Sequence, residues 1–338
     1  MKKNVELPIV EPIYGTYHKQ GCGAATIHEN QSVRNWYLNE AVNLRCNRKF
    51  LTGFTTPEVD VNMSDIYSNP YLYKYWIPLQ FTKGYINPII REMIDQGFYI
   101  YFGDFDDYYI EGKTWYKQRH FYHDGLICGY NQKKKTYCIY SYDNNWICQK
   151  FETSQKAFND AREAAMKNAG KGILCAIKPS LEQVVFDSKI ALEKIEEYLD
   201  SSLEKYPPTD ETPVYGIVIH DYIAMYIGKL QDGTIPYEKM DWRVFRLIWE
   251  HKKVMQERLE KMEEDLELDS KTSQEYKKLV KEADTMRMLY ASHHMKRRDS
   301  VLPIIQNKLL ELKEKEMRIL TEFICKAGGA IKECNYGE

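Results

Sequence analysis

Residues 119–146 read RHFYHDGLICGYNQKKKTYCIYSYDNNW, and this stretch decides the predicted fold. An apolar run at 126–128 and a run of aromatic and β-branched residues at 136–142 are each typical of a β-strand. The lysine-rich segment between them predicts a turn, so the two runs should form an antiparallel hairpin. Because adjacent strands place the start of one beside the end of the other, His123 and Asp143 should lie side by side. We therefore expect Asp143 to hold the His123 imidazole in one tautomer, as the orienting acid of a catalytic triad does.

Length and composition predict a globular protein with a sizeable core. The chain has 338 residues, of which 43% are apolar and 28% charged, which is enough for two domains. The net charge of −2 and the lack of a basic cluster interleaved with aromatic residues argue against a nucleic-acid partner. The sequence contains no run of 18 apolar residues and no apolar leader. We therefore expect a cytoplasmic protein with no membrane partner.

The cysteines and acidic residues do not predict a metal site. In a reducing compartment the eight cysteines are expected to be thiols. The sequence lacks a Cys-x-x-Cys pair and a His-x-x-x-His pair with a matching second half, so we expect no bound zinc. Asp104, Asp106 and Asp107 are followed by tyrosines and lack the glycine of a calcium-binding loop. We interpret these three as solvated acids.

Cys22 is the candidate nucleophile. It lies between Gly21 and Gly23, and apolar residues recur at helical spacing from Ala24 to Leu44. We therefore place Cys22 at or just before a helix N-terminus. There, unpaired amide groups and the helix dipole lower the pKa of a thiol and favour the nucleophilic thiolate. Cys46 would follow the far end of that helix, where the dipole gives no such advantage.

The composition changes at Pro179, which divides the chain into two predicted domains. Before it, we predict a helix starting near Asn87, a helix at 154–170 and strands at 98–102, 147–151 and 172–177. After it the sequence is mostly helical, with predicted segments at 181–199, 215–230, 241–268, 273–297 and 301–326. The prediction is an α+β domain at 1–178 followed by a helical bundle at 179–338.

Cys22, His123 and Asp143 occur in the order nucleophile, base and acid, and this order resembles the papain-like cysteine peptidase fold. Gly21-Cys22-Gly23-Ala24 is similar to the segment that opens the family's nucleophile helix. His123 followed by Gly129-Tyr130 is similar to its histidine strand. The resemblance implies an N-terminal nucleophile helix that packs on an antiparallel sheet.

Several roles stay open within this resemblance. The position at which the family carries its oxyanion glutamine is Thr16 here. Either Gln20 or the backbone N–H of Cys22 would then bind the oxyanion. The segment Asn144-Asn145-Trp146 is similar to the family's Asn-x-Trp segment, so Asn144 is the alternative to Asp143. His120 is the alternative to His123 as base.

Residues 1–178 also resemble the butirosin-biosynthesis acyltransferases, a branch of the same superfamily. The similar segments are Gln20-Gly21-Cys22-Gly23, Asp107-Tyr-Tyr-Ile110 and His123-Asp-x-Leu-Ile-x-Gly-Tyr130. The resemblance, which extends to the amide-forming enzyme of closthioamide assembly, implies that Cys22 accepts an acyl group from an acyl- or peptidyl-carrier protein. The carrier presents the acyl group as a phosphopantetheine thioester, and no other cofactor is implied.

The implied product is an amide with a small amine, made in specialised-metabolite or antibiotic biosynthesis. Hydrolysis by a peptidase or amidase is the alternative, because both reactions pass through the same S-acyl enzyme. A non-catalytic helical scaffold or binding module is a further alternative. The sequence leaves open which acyl group and amine are used and whether the chain forms a homodimer.

Overall fold

The computed structural model describes residues 3–27, 31–53, 55–62, 64–82, 84–145, 147–169, 172–201 and 213–336. The fold is α+β, with an antiparallel sheet and a helical C-terminal part, as the sequence predicts. Within these ranges, no helix combines the length and the apolar character needed to cross a membrane.

Antiparallel pairing connects the strands into two sheets. In chain order the strands are β1 (Asn4–Glu6), β2 (Leu44–Cys46), β3 (Asp60–Val61), β4 (Leu72–Trp76), β5 (Tyr99–Asp106), β6 (Tyr122–Asn131), β7 (Thr136–Tyr142), β8 (Cys148–Ser154), β9 (Ile173–Pro179) and β10 (Val214–Tyr215). The main sheet has the order β4-β9-β5-β6-β7-β8, and β1 pairs with the part of β6 that β5 leaves unpaired. A smaller sheet joins β10, β2 and β3.

The helices are short near the N-terminus and long near the C-terminus. They are α1 (His18–Ala24), α2 (Gln31–Glu40), α3 (Ile86–Asp95), α4 (Gln155–Ala169), α5 (Ser188–Asp200), α6 (Ile219–Gln231), α7 (Val244–Asp265), α8 (Lys271–Lys296) and α9 (Leu302–Tyr336). In the C-terminal part, α7 packs on α8, and α9 packs on α5, α6 and α8. The helices predicted after Pro179 are therefore present.

The predicted hairpin is present as β6 and β7. Leu126 pairs with Tyr140 and Ile127 with Ile139, and β7 has the predicted bounds. The first strand is longer than its apolar core at 126–128, because its polar ends pair with β5 and β1. The hairpin prediction is confirmed.

The helix predicted from Ala24 to Leu44 is wrong in its bounds. Instead, α1 ends at Ala24 and α2 begins at Gln31. Gly21 and Gly23 are helical residues of α1, and a Cβ atom on Gly23 would lie only 2.6 Å from Ile66 Cγ2. The glycine at position 23 therefore permits a close approach of α1 to Ile66, and does not mark a turn before a helix.

Apolar side chains cover both faces of the main sheet, because successive strand residues point to opposite sides. On one face, Ile100, Ile127 and Ile139 pack with residues of α3 and α4. On the other face, Tyr101 and Leu126 pack with Cys22 of α1. Cys22 therefore lies against the tyrosine-rich face of the sheet.

The described chain divides into two compact units, residues 1–33 with 65–183 and residues 34–64 with 184–338. The predicted boundary between residues 178 and 179 assigns 34–64 to the first domain. Within the second unit, the buried guanidinium of Arg258 in α7 donates to the carbonyls of Tyr37, Leu38 and Ala41. Arg258 and Leu38 are 220 residues apart in the chain, so local sequence patterns do not reveal this contact.

Candidate active site

A polar cluster occupies the place where strands β6 and β7 separate. The last pair of their ladder is Leu126 with Tyr140. Beyond this pair, the N–H of Tyr142 donates to Nε2 of His18 at 3.3 Å, and the carbonyl of Asp124 accepts from the hydroxyl of Ser141 at 2.9 Å. Side chains thus satisfy backbone groups that a longer ladder would pair with each other. We call this group the strand-end cluster. Its members are His18, Asp107, Lys113, His123, Asp124 and Ser141.

Lys113 is the buried cation of the strand-end cluster. Its Nζ donates to Ser141 Oγ at 2.7 Å and to the carbonyl of Asp124 at 3.3 Å, and it lies 3.4 Å from Asp107 Oδ1. Burial of an ammonium group costs free energy unless the charge is paired and its protons are bonded. Asp107 supplies the opposite charge and the two oxygens supply acceptors. No sequence motif marks Lys113 or Ser141.

The carboxylate beside His123 is that of Asp107. His123 Nδ1 lies 3.5 Å from Asp107 Oδ2, and the His123 side chain is 25% exposed. Asp106 and Asp107 are both buried, so their interpretation as solvated acids is wrong. The reason is a bulge in β5 between Phe102 and Phe105, where Asp104 has a φ of 57°. A bulge redirects the side chains that follow it, and sequence alternation does not show it.

His120 forms a second histidine–carboxylate pair. Its Nδ1 lies 2.7 Å from Oδ2 of Asp106, and Oδ1 of Asp106 accepts from the N–H of Tyr108. The exposed His120 ring stacks on the ring of Tyr108 with centroids 4.6 Å apart. Two neighbouring acids in the chain thus each lie beside a different histidine, Asp106 beside His120 and Asp107 beside His123.

Asp143 orders its own turn. Oδ1 accepts from the N–H groups of Asn145 and Ile147 at 2.8 and 2.9 Å, and Oδ2 accepts from Nε2 of Gln149 at 2.6 Å. Burial by itself would raise the pKa of the Asp143 carboxyl, but these hydrogen bonds lower it below its ordinary value. The Asp143 carboxylate therefore stabilises the connection between β7 and β8.

The thiol of Cys22 is buried in α1. Cys22 is the fifth residue of this seven-residue helix, so its predicted place at a helix N-terminus is wrong. The residue is 1% exposed, and burial raises the pKa of its thiol well above the ordinary value. The neighbouring Cys148 thiol and the charge of Asp124 raise this pKa further, whereas Lys113 lowers it. The thiol is therefore protonated at neutral pH, contrary to the predicted thiolate.

His18 shares α1 with Cys22 and contacts the ring of His123. It precedes Cys22 by four residues in α1, so both side chains lie on the same side of the helix. The His18 ring meets the His123 ring edge-on, with centroids 4.4 Å apart. His18 is 7% exposed, and its Nε2 lies 2.9 Å from Oγ of Ser141 and 3.3 Å from the backbone nitrogen of Tyr142. A helix predicted to start at His18 would have placed His18 and Cys22, which are four residues apart, on the same side of that helix.

The strand-end cluster does not include the candidates for oxyanion binding, Gln20 and the N–H of Cys22, or the alternative orienting residue Asn144. Gln20 is buried in α1 two residues before Cys22, which is about 200° around the helix. Cys22 lies beyond the first turn of α1, where a backbone N–H bonds within the helix. Asn144 is exposed in the turn after β7, and Trp146 lies outside the described residues.

Comparison with protein-family models gave no match, and comparison with curated proteins gave none either. In the part of the chain that the structure describes, no three His, Cys, Asp or Glu side chains are grouped so that they could hold a metal ion. A functional assignment therefore depends on the geometry of Cys22 and the strand-end cluster.

Proposed function

We propose that the chain is a cysteine-dependent acyltransferase in which Cys22 forms an S-acyl intermediate and passes the acyl group to an amine. The supporting observation is that His18 lies on the same side of α1 as Cys22 and contacts His123, whose Nδ1 is 3.5 Å from Asp107. A thiol, an imidazole and an orienting carboxylate are the groups that nucleophilic acyl transfer needs. In this proposal Asp107 has the orienting role that sequence analysis assigns to Asp143 or Asn144.

The papain-like fold of the butirosin-type enzymes is part of the proposal. It is supported by the packing of α1, which carries Cys22, on β6 and β7 of an antiparallel sheet. The position of His123 on β6 also supports it. The chain departs from that fold in the placement of Cys22 in the second half of a short helix.

The thiol of Cys22 needs a base, because burial keeps it protonated at neutral pH. An imidazole that presents Nδ1 to a carboxylate keeps Nε2 to accept a proton, and His123 has this arrangement. The sulfur attacks the thioester carbonyl, a C–S bond to Cys22 forms, and the phosphopantetheine thiol leaves with a proton. An amine then attacks the S-acyl carbonyl, the amide bond forms, and the Cys22 thiol is regenerated.

Exclusion of water favours transfer over hydrolysis. Cys22 and His18 are both buried, so an acyl group on Cys22 would be shielded from bulk water. An amine bound beside the S-acyl group would then react before water does. Hydrolysis of the same intermediate is the alternative outcome.

Intact-protein mass spectrometry with a carrier-protein acyl thioester tests the proposal. We expect a mass increase equal to one acyl group, mapped to Cys22 by peptide analysis, and no increase for Cys22→Ala. Cys175→Ala is the matched control, because Cys175 is a buried thiol in the same apolar cluster. An adduct that persists in Cys22→Ala would contradict the assignment. An amide product supports transfer, and a free acid in the presence of amine supports hydrolysis.

A further inference from the structure

We infer that Cys128 and Cys138 form a redox-active pair, in which a hydroperoxide oxidises Cys138 and Cys128 then closes a disulfide between β6 and β7. Both residues are free thiols in the structure, they are in contact, and a cavity opens beside them. Neither belongs to the strand-end cluster, so this site is separate from the acyl chemistry proposed for Cys22. Disulfides that form transiently in response to an oxidant also occur in reducing compartments.

The two thiols meet because β6 contains a bulge. Ile127 and Gly129 both pair with β7, and Cys128 between them does not, so Cys128 is the extra residue of the bulge. Cys128 and Cys138 contact the same apolar cluster on one face of the sheet, and their sulfur atoms lie 3.5 Å apart. A disulfide bond is about 2.05 Å long, so the two sulfurs need to approach each other by only about 1.5 Å.

The two thiols differ in their access to solvent. Cys128 is fully buried, whereas Cys138 is half-buried and lines a surface cavity of about 320 Å³. The thiol of Cys128 donates a hydrogen bond to the sulfur of Cys138, and this bond lowers the pKa of the Cys138 thiol, although burial acts in the opposite direction. An accessible thiol with a lowered pKa beside a second thiol is the usual arrangement of redox-sensing cysteines. Cys138 is therefore the thiol that meets the oxidant, and Cys128 is the one that resolves the product.

A lysine side chain lies on the same face of the sheet as Cys138. In the pairing of β7 with β8, Cys138 is opposite Glu152 and Tyr140 is opposite Lys150, and residues two apart on a strand point to the same side. Lys150 lines the cavity together with Cys138, and its charge favours the Cys138 thiolate. The charges of Glu6 and Glu152 oppose this effect, but Glu6 is itself paired with Lys150. The cavity thus gives a small polar oxidant a route to the thiolate.

The hydroperoxide is the one co-reactant that the oxidation needs. The Cys138 thiolate attacks a peroxide oxygen, an S–O bond forms, the O–O bond breaks, and the leaving oxygen takes up the proton that Cys138 has lost. The product is a sulfenic acid. The Cys128 sulfur then attacks the sulfenic sulfur, the S–S bond forms, the S–O bond breaks, and hydroxide leaves as water with the Cys128 proton. The two thiols are oxidised to a disulfide, and the hydroperoxide is reduced to an alcohol or water.

Intact-protein mass spectrometry of the folded chain after treatment with hydrogen peroxide tests this inference. Cys325→Ser and Cys334→Ser are present in every protein, because the exposed Cys325 would otherwise form disulfides between molecules. We expect the loss of two hydrogen atoms, a cross-link between Cys128 and Cys138 in the peptide map, and complete reversal by dithiothreitol. No loss of mass, or a cross-link between other cysteines, would overturn the inference.

Two cysteine variants distinguish the thiol that is oxidised first from the thiol that resolves it. In Cys128→Ala the sulfenic acid has no partner, so dimedone, which traps sulfenic acids, should label Cys138. In Cys138→Ala we expect no dimedone adduct on Cys128 and no loss of mass. Labelling of Cys128 in Cys138→Ala as fast as labelling of Cys138 in Cys128→Ala would overturn the assigned order.

A lysine variant keeps the test independent of the buried thiol. Lys150→Met retains the length of the side chain and removes its charge, so disulfide formation should slow by roughly threefold or more. Lys156→Met is the matched control, because Lys156 is exposed on α4 and pairs there with Asp160. It should react at the wild-type rate. Equal rates in all three proteins would place the oxidised thiolate outside this cavity and overturn the inference.

Discussion

The carboxylate of Asp107 lies 3.5 Å from the imidazole of His123, and the Asp107 side chain is almost completely shielded from water. If it orients the base, Asp107→Asn should slow S-acyl formation by about a hundredfold or more. Asp143→Asn should change this rate little, since the Asp143 carboxylate bonds to its own turn. Stopped-flow release of the carrier thiol measures both rates.

Asp143→Asn should show its effect in stability instead. Nδ2 of asparagine cannot accept the hydrogen bond of Gln149, so a loss of about 1–3 kcal/mol in unfolding free energy is expected. The opposite pattern, an inactive Asp143→Asn protein and an active Asp107→Asn protein, would return the orienting role to Asp143.

Alkylation of Cys22 should be slow in the folded protein. Burial raises the pKa of the Cys22 thiol. In the folded protein this thiol therefore stays protonated near pH 8.5, the ordinary cysteine pKa, whereas in the unfolded chain about half of it is ionised at that pH. Cys325 is exposed and serves as the internal reference. We expect iodoacetamide to label Cys325 first at mildly alkaline pH, and to label both equally in denaturant. Peptide mapping at several pH values checks this, and equal labelling of the folded protein would show that the Cys22 site is open.

Gly23→Ala should destabilise the protein despite the higher helix propensity of alanine. The added Cβ would lie 2.6 Å from Ile66 Cγ2, so Ile66 or α1 must move, at a cost of about 1–3 kcal/mol. Gly21→Ala is the matched control in the same helix, because its Cβ would lie no closer than 3.4 Å to its neighbours. It should be neutral or stabilising by up to about 1 kcal/mol. Urea denaturation measures both, and equal effects of the two substitutions would contradict the packing argument.

The helical unit should lose stability in mild acid because of His220. His220 Nδ1 donates to the carbonyl of Ile217 at 2.8 Å, and Nε2 lies 3.6 Å from Glu316, which pairs with Lys252 at 2.6 Å. Burial and the charge of Lys252 together lower the pKa of His220 to about 4, although the charge of Glu316 acts in the opposite direction. Between about pH 6.5, the unfolded value, and pH 4, an unfolded chain binds a proton that the folded chain does not.

The difference between the ordinary pKa of about 6.5 and the folded pKa of about 4 corresponds to a loss of roughly 3 kcal/mol as the pH falls through this window. His220→Gln should remove that part of the pH dependence, although it can lower the stability at neutral pH. Denaturation of both proteins at a series of pH values measures the difference. Parallel pH curves for the two proteins would contradict the assignment to His220.

Local patterns predicted most elements of the main sheet and of the helical part. The hairpin was predictable because turn residues and strand propensity are properties of a few neighbouring residues, and β7 spans the predicted Thr136–Tyr142. The helix at α4 was predictable from its flanking cap residues and glycine. The segment around Cys22 was not, since Gly21 and Gly23 are typical of a turn in isolation and become helical where α1 packs on Ile66.

The sequence by itself determined the α+β class and supplied Cys22 and His123 as candidate nucleophile and base, since these depend on residue type and local spacing. Only the tertiary structure decided which carboxylate lies beside His123 and in which protonation state Cys22 is held. The first depends on the β5 bulge that directs Asp107 inward. The second depends on burial against the sheet and on charges from Asp124 and Lys113. Both depend on groups that are far apart in the chain and meet only in the folded protein. Local sequence patterns therefore do not predict them.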